Sequence, residues 1–191
     1  MKSINMDPKL VEQIAEHYRA IIQLIGEDPE REGLLKTPTR AAKALLENTR
    51  GYAEDPASIL HAAMFDHEGS EIVIVKDIEF YSLCEHHLLP FFGKVSIGYI
   101  PAGEIVGLSK LGRIVDSFSR RFQVQERLTA EICDLLAQEL SGDVIVVCDA
   151  QHMCMKMRGV EKQGAATVTM QYRGEFEHNL ALRAEFLSLI K

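Results

Sequence analysis

The sequence predicts an α+β protein, an antiparallel sheet with helices on one face, behind an N-terminal helical appendage. Three observations carry that reading. Residues 1–65 hold helix signals and nothing that reads as a strand. From Glu71 the apolar period shortens from that of a helix to that of a strand. The later elements then run strand-strand-helix-helix-strand-strand, an order that favours helices segregated to one face of an antiparallel sheet.

Each element has a local reason. Asp7-Pro8 is a cap residue followed by a proline suited to a first helical turn. Leu10, Val11, Ile14, Tyr18, Ile21, Ile22 and Ile25 then recur at helical spacing, and Gly26 is a natural stop. In "KTPTRAAKALL", Thr37 is expected to cap and Pro38 to open a second helix rich in good helix formers. "EIVIVKDIEFYSLC" mixes β-branched and aromatic residues as a strand does, and "GKVSIGYIP" alternates up to its proline. Ile114, Val115 and Phe118 line one helix; Leu128, Ile132, Leu135, Leu136 and Leu140 line the next. "DVIVVCDAQHMC" and "GAATVTMQYRG" read as strands, and a helix from Phe176 to Ile190 closes the chain.

Composition excludes several classes of function. Twenty-one basic residues stand against 28 acidic ones, a net charge of −7, which is the wrong sign for a general nucleic-acid footprint. A few clustered cations still suffice for a small anion. The opening "MKSINMDPKL" lacks the apolar run of a signal peptide, and no apolar stretch approaches the length of a membrane span. Four cysteines without a secretory signal fit a reducing cytoplasm, where they serve as core, ligands or catalysts.

The stretch "SLCEHHLLP" sets a thiol, a carboxylate and two imidazoles between leucines. Polar, titratable groups are costly to hold there without partners. Cys84 and His87, three residues apart, make half of a zinc site. Cys133 lies on an apolar helix and Cys148 ends a buried strand run, so both read as core. Cys154 stands among polar residues, two positions after His152. If the strand continues, His152 and Cys154 share a face. Three arrangements remain open: Cys84, His87 and Cys154 around a metal with a vacant fourth position; a closed structural site that recruits His86 or His152; or a polar cluster without metal. The first is the catalytic pattern, and it leaves His86 and His152 for proton transfer.

Cations recur near helix starts. Lys110 and Arg113 lie three apart in "GLSKLGRIV", Arg40 lies in the first turn of its helix in "TPTR", and "CMKMRG" supplies Lys156 and Arg158. A cation there opposes the helix dipole but suits a bound anion; a solvated face is the plain alternative. Gln125 and Glu126 precede an apolar helical run. Glu126 either starts that helix or accepts two hydrogen bonds from a guanine edge.

Taken together and in this order, "SLCEHHLLPFFGKVSIGYIP", "GLSKLGRIVDSFSRRFQVQERLT" and "HMCMKMRGV" strongly resemble GTP cyclohydrolase I of the zinc-dependent type, from "TPTR" to the end. The resemblance implies the tunnelling fold, with a catalytic domain over 66–191, assembled as a cytoplasmic homodecamer with active sites at subunit interfaces. It implies Zn2+ as cofactor and GTP as substrate, converted with water to formate and 7,8-dihydroneopterin triphosphate at the head of tetrahydrofolate and pterin biosynthesis. No nucleic acid and no membrane is implied as a partner. By position, Cys84, His87 and Cys154 match the zinc ligands, and His86 and His152 the catalytic histidines. Glu126 matches the guanine anchor, with Gln125 beside it. Lys110, Arg113, Arg158 and Arg40 match triphosphate positions, some reached from neighbouring subunits, and Ser109 lies in the same pocket wall. One departure is Phe122, where the family is expected to carry proline.

Overall fold

The computed structural model describes residues 7–191. Residues 1–6, which begin the stretch read as lacking a signal peptide, lie outside the described residues. The chain divides into two compact units, one up to Arg50 and one from Gly51 to Lys191.

The first unit is a helix pair. In α1 (Pro8–Leu24) the Asp7 side chain accepts from the Lys9 N–H at 3.0 Å, as its cap position predicts. Gly26, at φ +89°, ends it. Val11 and Ala15 of α1 bury against Ala42 of α2 (Thr37–Asn48). Thr37 is not the cap. The backbone of Lys36 is already helical, and Thr37 Oγ1 turns back to the Gly33 carbonyl at 3.4 Å. A side-chain cap needs an extended residue at that point, and the preceding turn leaves none.

The second unit starts with α3 (Pro56–His61) and β1 (Met64–Asp66). Leu60 of α3 is fully buried in its core, so residues 51–65, read from sequence with the appendage, pack here. Next come β2 (Val73–Cys84), β3 (Pro90–Tyr99), β4 (Glu104–Val106), α4 (Leu108–Ser119), β5 (Phe122–Gln123) and α5 (Gln125–Glu139). The chain ends with β6 (Val144–His152), α6 (Met153–Lys156), β7 (Thr167–Arg173), α7 (Glu175–His178) and α8 (Leu180–Leu189). One sheet runs β5-β2-β3-β6-β7, antiparallel except where β5 lies parallel to β2; β1 and β4 form a separate small ladder. Within the main sheet, the strand-strand-helix-helix-strand-strand core is the one expected.

Helices α4 and α5 cover one face. Leu111, Ile114, Val115, Leu128, Ile132 and Leu136 pack there against Val95, Ile97, Val146 and Cys148. Each fully buried leucine or isoleucine contributes roughly 1.5–3 kcal/mol. The alternate residues of β6, Ile145 and Val147, face the other way and are covered by Phe176 of α7 and Phe186 of α8. The closing segment is thus two helices where the sequence suggested one. Asn179 interrupts them with extended backbone, and its side chain accepts from the Leu182 N–H at 3.0 Å.

Candidate active site

The sheet register gathers distant sequence at one end. Ser82 of β2 pairs with Phe91 of β3, and Phe91 pairs with His152 of β6. The segments that follow Ser82 and His152, carrying Cys84 to His87 and Cys154, therefore leave the sheet at the same edge. Gly93 keeps these strands close, because a Cβ there would overlap the Asp149 carbonyl. On the other side, β5 pairs Phe122 with Leu83 and Gln123 with Cys84. That brings the first residues of α5, Gln125 and Glu126, to the same place.

A tight turn folds Cys84 back onto His87. The His87 and Leu88 amides both donate to the Cys84 carbonyl, at 3.2 and 2.8 Å, and the Cys84 amide donates to Leu89 O at 2.9 Å. Leu88 sits in the left-handed region at φ +54°. For leucine that costs about 1 kcal/mol or more, and the three backbone bonds hold it there. The result puts Cys84 Sγ 4.0 Å from His87 Nδ1.

Cys154 completes the group. One ligand atom from each of Cys84, His87 and Cys154 lies within 4.8 Å of the others. Cys84 is buried, Cys154 half-buried and His87 exposed. Burial, then the neighbouring Cys84 thiol, push the Cys154 thiol above its ordinary value. A divalent cation inverts that preference, since a coordinating thiol is deprotonated outright. Two thiolates and an imidazole at this spacing are a donor set that zinc accepts. Neither His86 nor His152 joins the group among the described residues. The strand does not continue to Cys154 as the shared-face expectation required. It ends at His152, and Cys154 rides on the single turn of α6.

His152 is held on two sides. Its ring lies 4.7 Å from that of Phe91, nearly parallel, with an interplanar angle of 3°. Its Nε2 is 2.8 Å from Gln125 Oε1. Burial lowers its pKa, while the Glu126 charge nearby opposes that shift. Glu126 itself is exposed in the first turn of α5. Gln125 is 1% exposed, unlike an open base contact. Phe91 carries no sequence signal beyond its apolar character, and only the register reveals it.

Around this centre, Arg127 pairs with Glu85 and also donates to Gln123 Oε1 at 2.9 Å and Phe122 O at 3.0 Å. That ties the ligand turn to the start of α5. The hydrogen bond from Arg127 holds the Glu85 carboxyl below the usual carboxylate range. Exposed His86 stands edge-on to His87 at 6.2 Å. An Arg158 guanidinium nitrogen lies 3.3 Å from His87 Nε2. Phe122 uses its amide as proline could not, donating to Tyr52 Oη at 3.0 Å.

Three other residues lie elsewhere. Ser109, Lys110 and Arg113 are on the first turns of α4. The preceding Val106 amide lies 3.5 Å from the hydroxyl of Tyr99, at the far end of β3 from Phe91. About 26 Å of strand separates those ends. Arg40 is exposed on α2 of the first unit.

A family model described as GTP cyclohydrolase I matches residues 14–191. The chain belongs to the GTP cyclohydrolase I family of enzymes. A GTP cyclohydrolase 1 of Porphyromonas gingivalis is 57% identical over 179 residues, 93% of this chain and 92% of that one. One from Bacteroides fragilis is 54% identical over 182 residues, 95% and 93% of the two chains. A Pseudomonas aeruginosa protein named GTP cyclohydrolase 1 2 is 52% identical over 180 residues, 93% and 99%. A solved apo structure titled archaeosine synthase QueF-Like overlays at a TM-score of 0.44 and 20% identity, over 54% of this chain and 93% of that one. Among the described residues, no helix is long and apolar enough to cross a membrane.

Proposed function

We propose that this GTP cyclohydrolase I chain carries out the zinc-dependent hydrolysis and rearrangement of GTP to formate and 7,8-dihydroneopterin triphosphate, the first step of tetrahydrofolate and pterin biosynthesis, in the cytoplasm. One observation carries the reading: Cys84, His87 and Cys154, far apart in sequence, converge within 4.8 Å of one another. When bound, zinc supplies Lewis acidity and a water whose pKa falls to about 7.

The chain's own residues do the rest. Glu126 accepts from the guanine N1–H and exocyclic amine, a donor pair adenine lacks. His152 delivers the proton that makes purine C8 electrophilic, acting at N7. His86 handles protons at the ribose ring oxygen and in the second hydrolysis that frees formate. Lys110, Arg113, Arg158 and Arg40 hold the triphosphate, arginine through its planar fork and lysine as a point charge, with Ser109 in the same wall. The catalysis belongs to residues 66–191.

The site is shared between copies of the chain in a homo-oligomer, a decamer by family resemblance. The separation along β3 supports this. A chain whose metal ligands and α4 cations sit at opposite ends of a strand needs a neighbour's cations to complete its own site.

The test is formate release from GTP by the zinc-loaded protein, with ATP as control. Formate from GTP alone is expected. No formate from protein shown to hold zinc would overturn the proposal.

A further inference from the structure

We infer that Gln125 is a positioning residue that holds the Nε2–H of His152, flat against Phe91, so that the resting ring is the Nε2–H tautomer and Nδ1 is the nitrogen that takes up a proton and passes it to substrate. This rests on the proposed role of His152 and deepens it. It also moves Gln125 away from the base contact that its place beside Glu126 suggested.

Donor and acceptor capacity fixes which way the Gln125 amide faces. The Gln125 amide nitrogen lies 3.0 Å from the Cys148 carbonyl, 2.8 Å from the Thr167 carbonyl and 3.2 Å from Thr169 Oγ1. Backbone carbonyls only accept, so the NH2 end of the side chain must face them. The carbonyl end is then fixed toward His152, 2.8 Å from its Nε2. An amide oxygen cannot donate, so Nε2 must carry the hydrogen. A neutral imidazole protonated at Nε2 has its lone pair on Nδ1. Among the described residues, Nδ1 has no hydrogen-bond partner.

The arrangement is built into the sheet. Cys148 of β6 and Thr169 of β7 are register partners, so the acceptors that orient Gln125 belong to the ladder itself. Thr129 Oγ1 donates to the Gln125 backbone carbonyl at 2.8 Å and lies 2.6 Å from Thr169 Oγ1, which closes the network. With 1% of its surface exposed and both amide hydrogens committed, Gln125 has no donor left for a guanine. Phe91 holds the plane of the imidazole while Gln125 holds its rotation about that plane.

The first test needs no substitution. Protein labelled with 15N-histidine is observed at about pH 8.5, well above the ordinary histidine pKa of about 6.5, and His152→Asn assigns the signal. Hydrogen on Nε2 and a bare Nδ1 is expected; hydrogen on Nδ1 overturns the inference. The second test is Gln125→Met, which keeps length and burial but loses both ends of the amide. Its His152 signal should become a mixture of tautomers. Its kcat should fall about a hundredfold with KM for GTP within about threefold and bound zinc unchanged. A large rise in KM at preserved kcat, or lost discrimination against ATP, would identify a base contact and refute positioning. Should the unsubstituted protein release no formate, the proposed function fails, and the tautomer measurement still decides this inference.

Discussion

Thiol labelling separates the four cysteines by their surroundings. Cys133 and Cys148 are fully buried, and burial pushes both thiols up to about 12 from an ordinary 9.0. At about pH 8, such a thiol is ionised in about one molecule in ten thousand, against about one in ten for an ordinary one, and only the thiolate attacks an alkylating reagent. A rate deficit of about a thousandfold follows before access is counted. Cys154 is the one cysteine that is not buried, and Cys84 adjoins it. Metal-free native protein treated with N-ethylmaleimide, then digested and weighed by mass spectrometry, should carry the label first on Cys154. Cys133 and Cys148 should stay unlabelled until denaturant is added. Zinc, supplied before the reagent, should protect Cys154. Labelling of Cys154 at the same rate with and without zinc would refute its place in the metal group. Early labelling of Cys133 or Cys148 would refute the burial argument.

The same two thiols set an alkaline limit. Their folded pKa lies above the unfolded one, so their contribution is intact below pH 9 and disappears as pH rises toward 12, by about 4 kcal/mol for each; the thermal midpoint should fall across that window and recover in part in Cys133→Ala. Glu126→Ala should lose about 2 kcal/mol of GTP affinity and its preference over ATP, with zinc content unchanged, and retained GTP preference would count against the assignment. Tyr52→Phe and Phe122→Pro each remove the bond between the Phe122 amide and the Tyr52 hydroxyl; each should cost about 1 kcal/mol in denaturant titrations, and the pair less than the sum. Lys110→Ala and Cys154→Ala chains, each of low activity, should regain about a quarter of full activity when refolded together, because some mixed interfaces combine intact halves. No recovery would contradict a shared site.

Much of this was legible in the sequence because long apolar patterns decide long elements. The stripe on α5 and the unbroken run of β6 identify themselves, as does the pair of cysteine-bearing stretches. The shorter elements do not. Phe122 and Gln123 become β5 only because β2 offers its edge, and β1 and β4 exist through each other. Nothing local in "QHMCMK" distinguishes a continued strand from the single helical turn of α6, so the end of β6 at His152 is not legible there. Gln125 is the sharpest case. A glutamine beside a glutamate reads as part of a polar rim, whereas carbonyls from β6 and β7, twenty-three and forty-two residues away, bury it. The offset of Ser109, Lys110 and Arg113 from the metal group likewise appears only once the strand register is known.

The most direct test of the central claim is a zinc titration of metal-free protein, followed by formate release from GTP. Activity should be absent at the start, rise in proportion to zinc bound, and level off at a single zinc per chain. Formate released without metal, or a chain filled with zinc that leaves GTP intact, would contradict it.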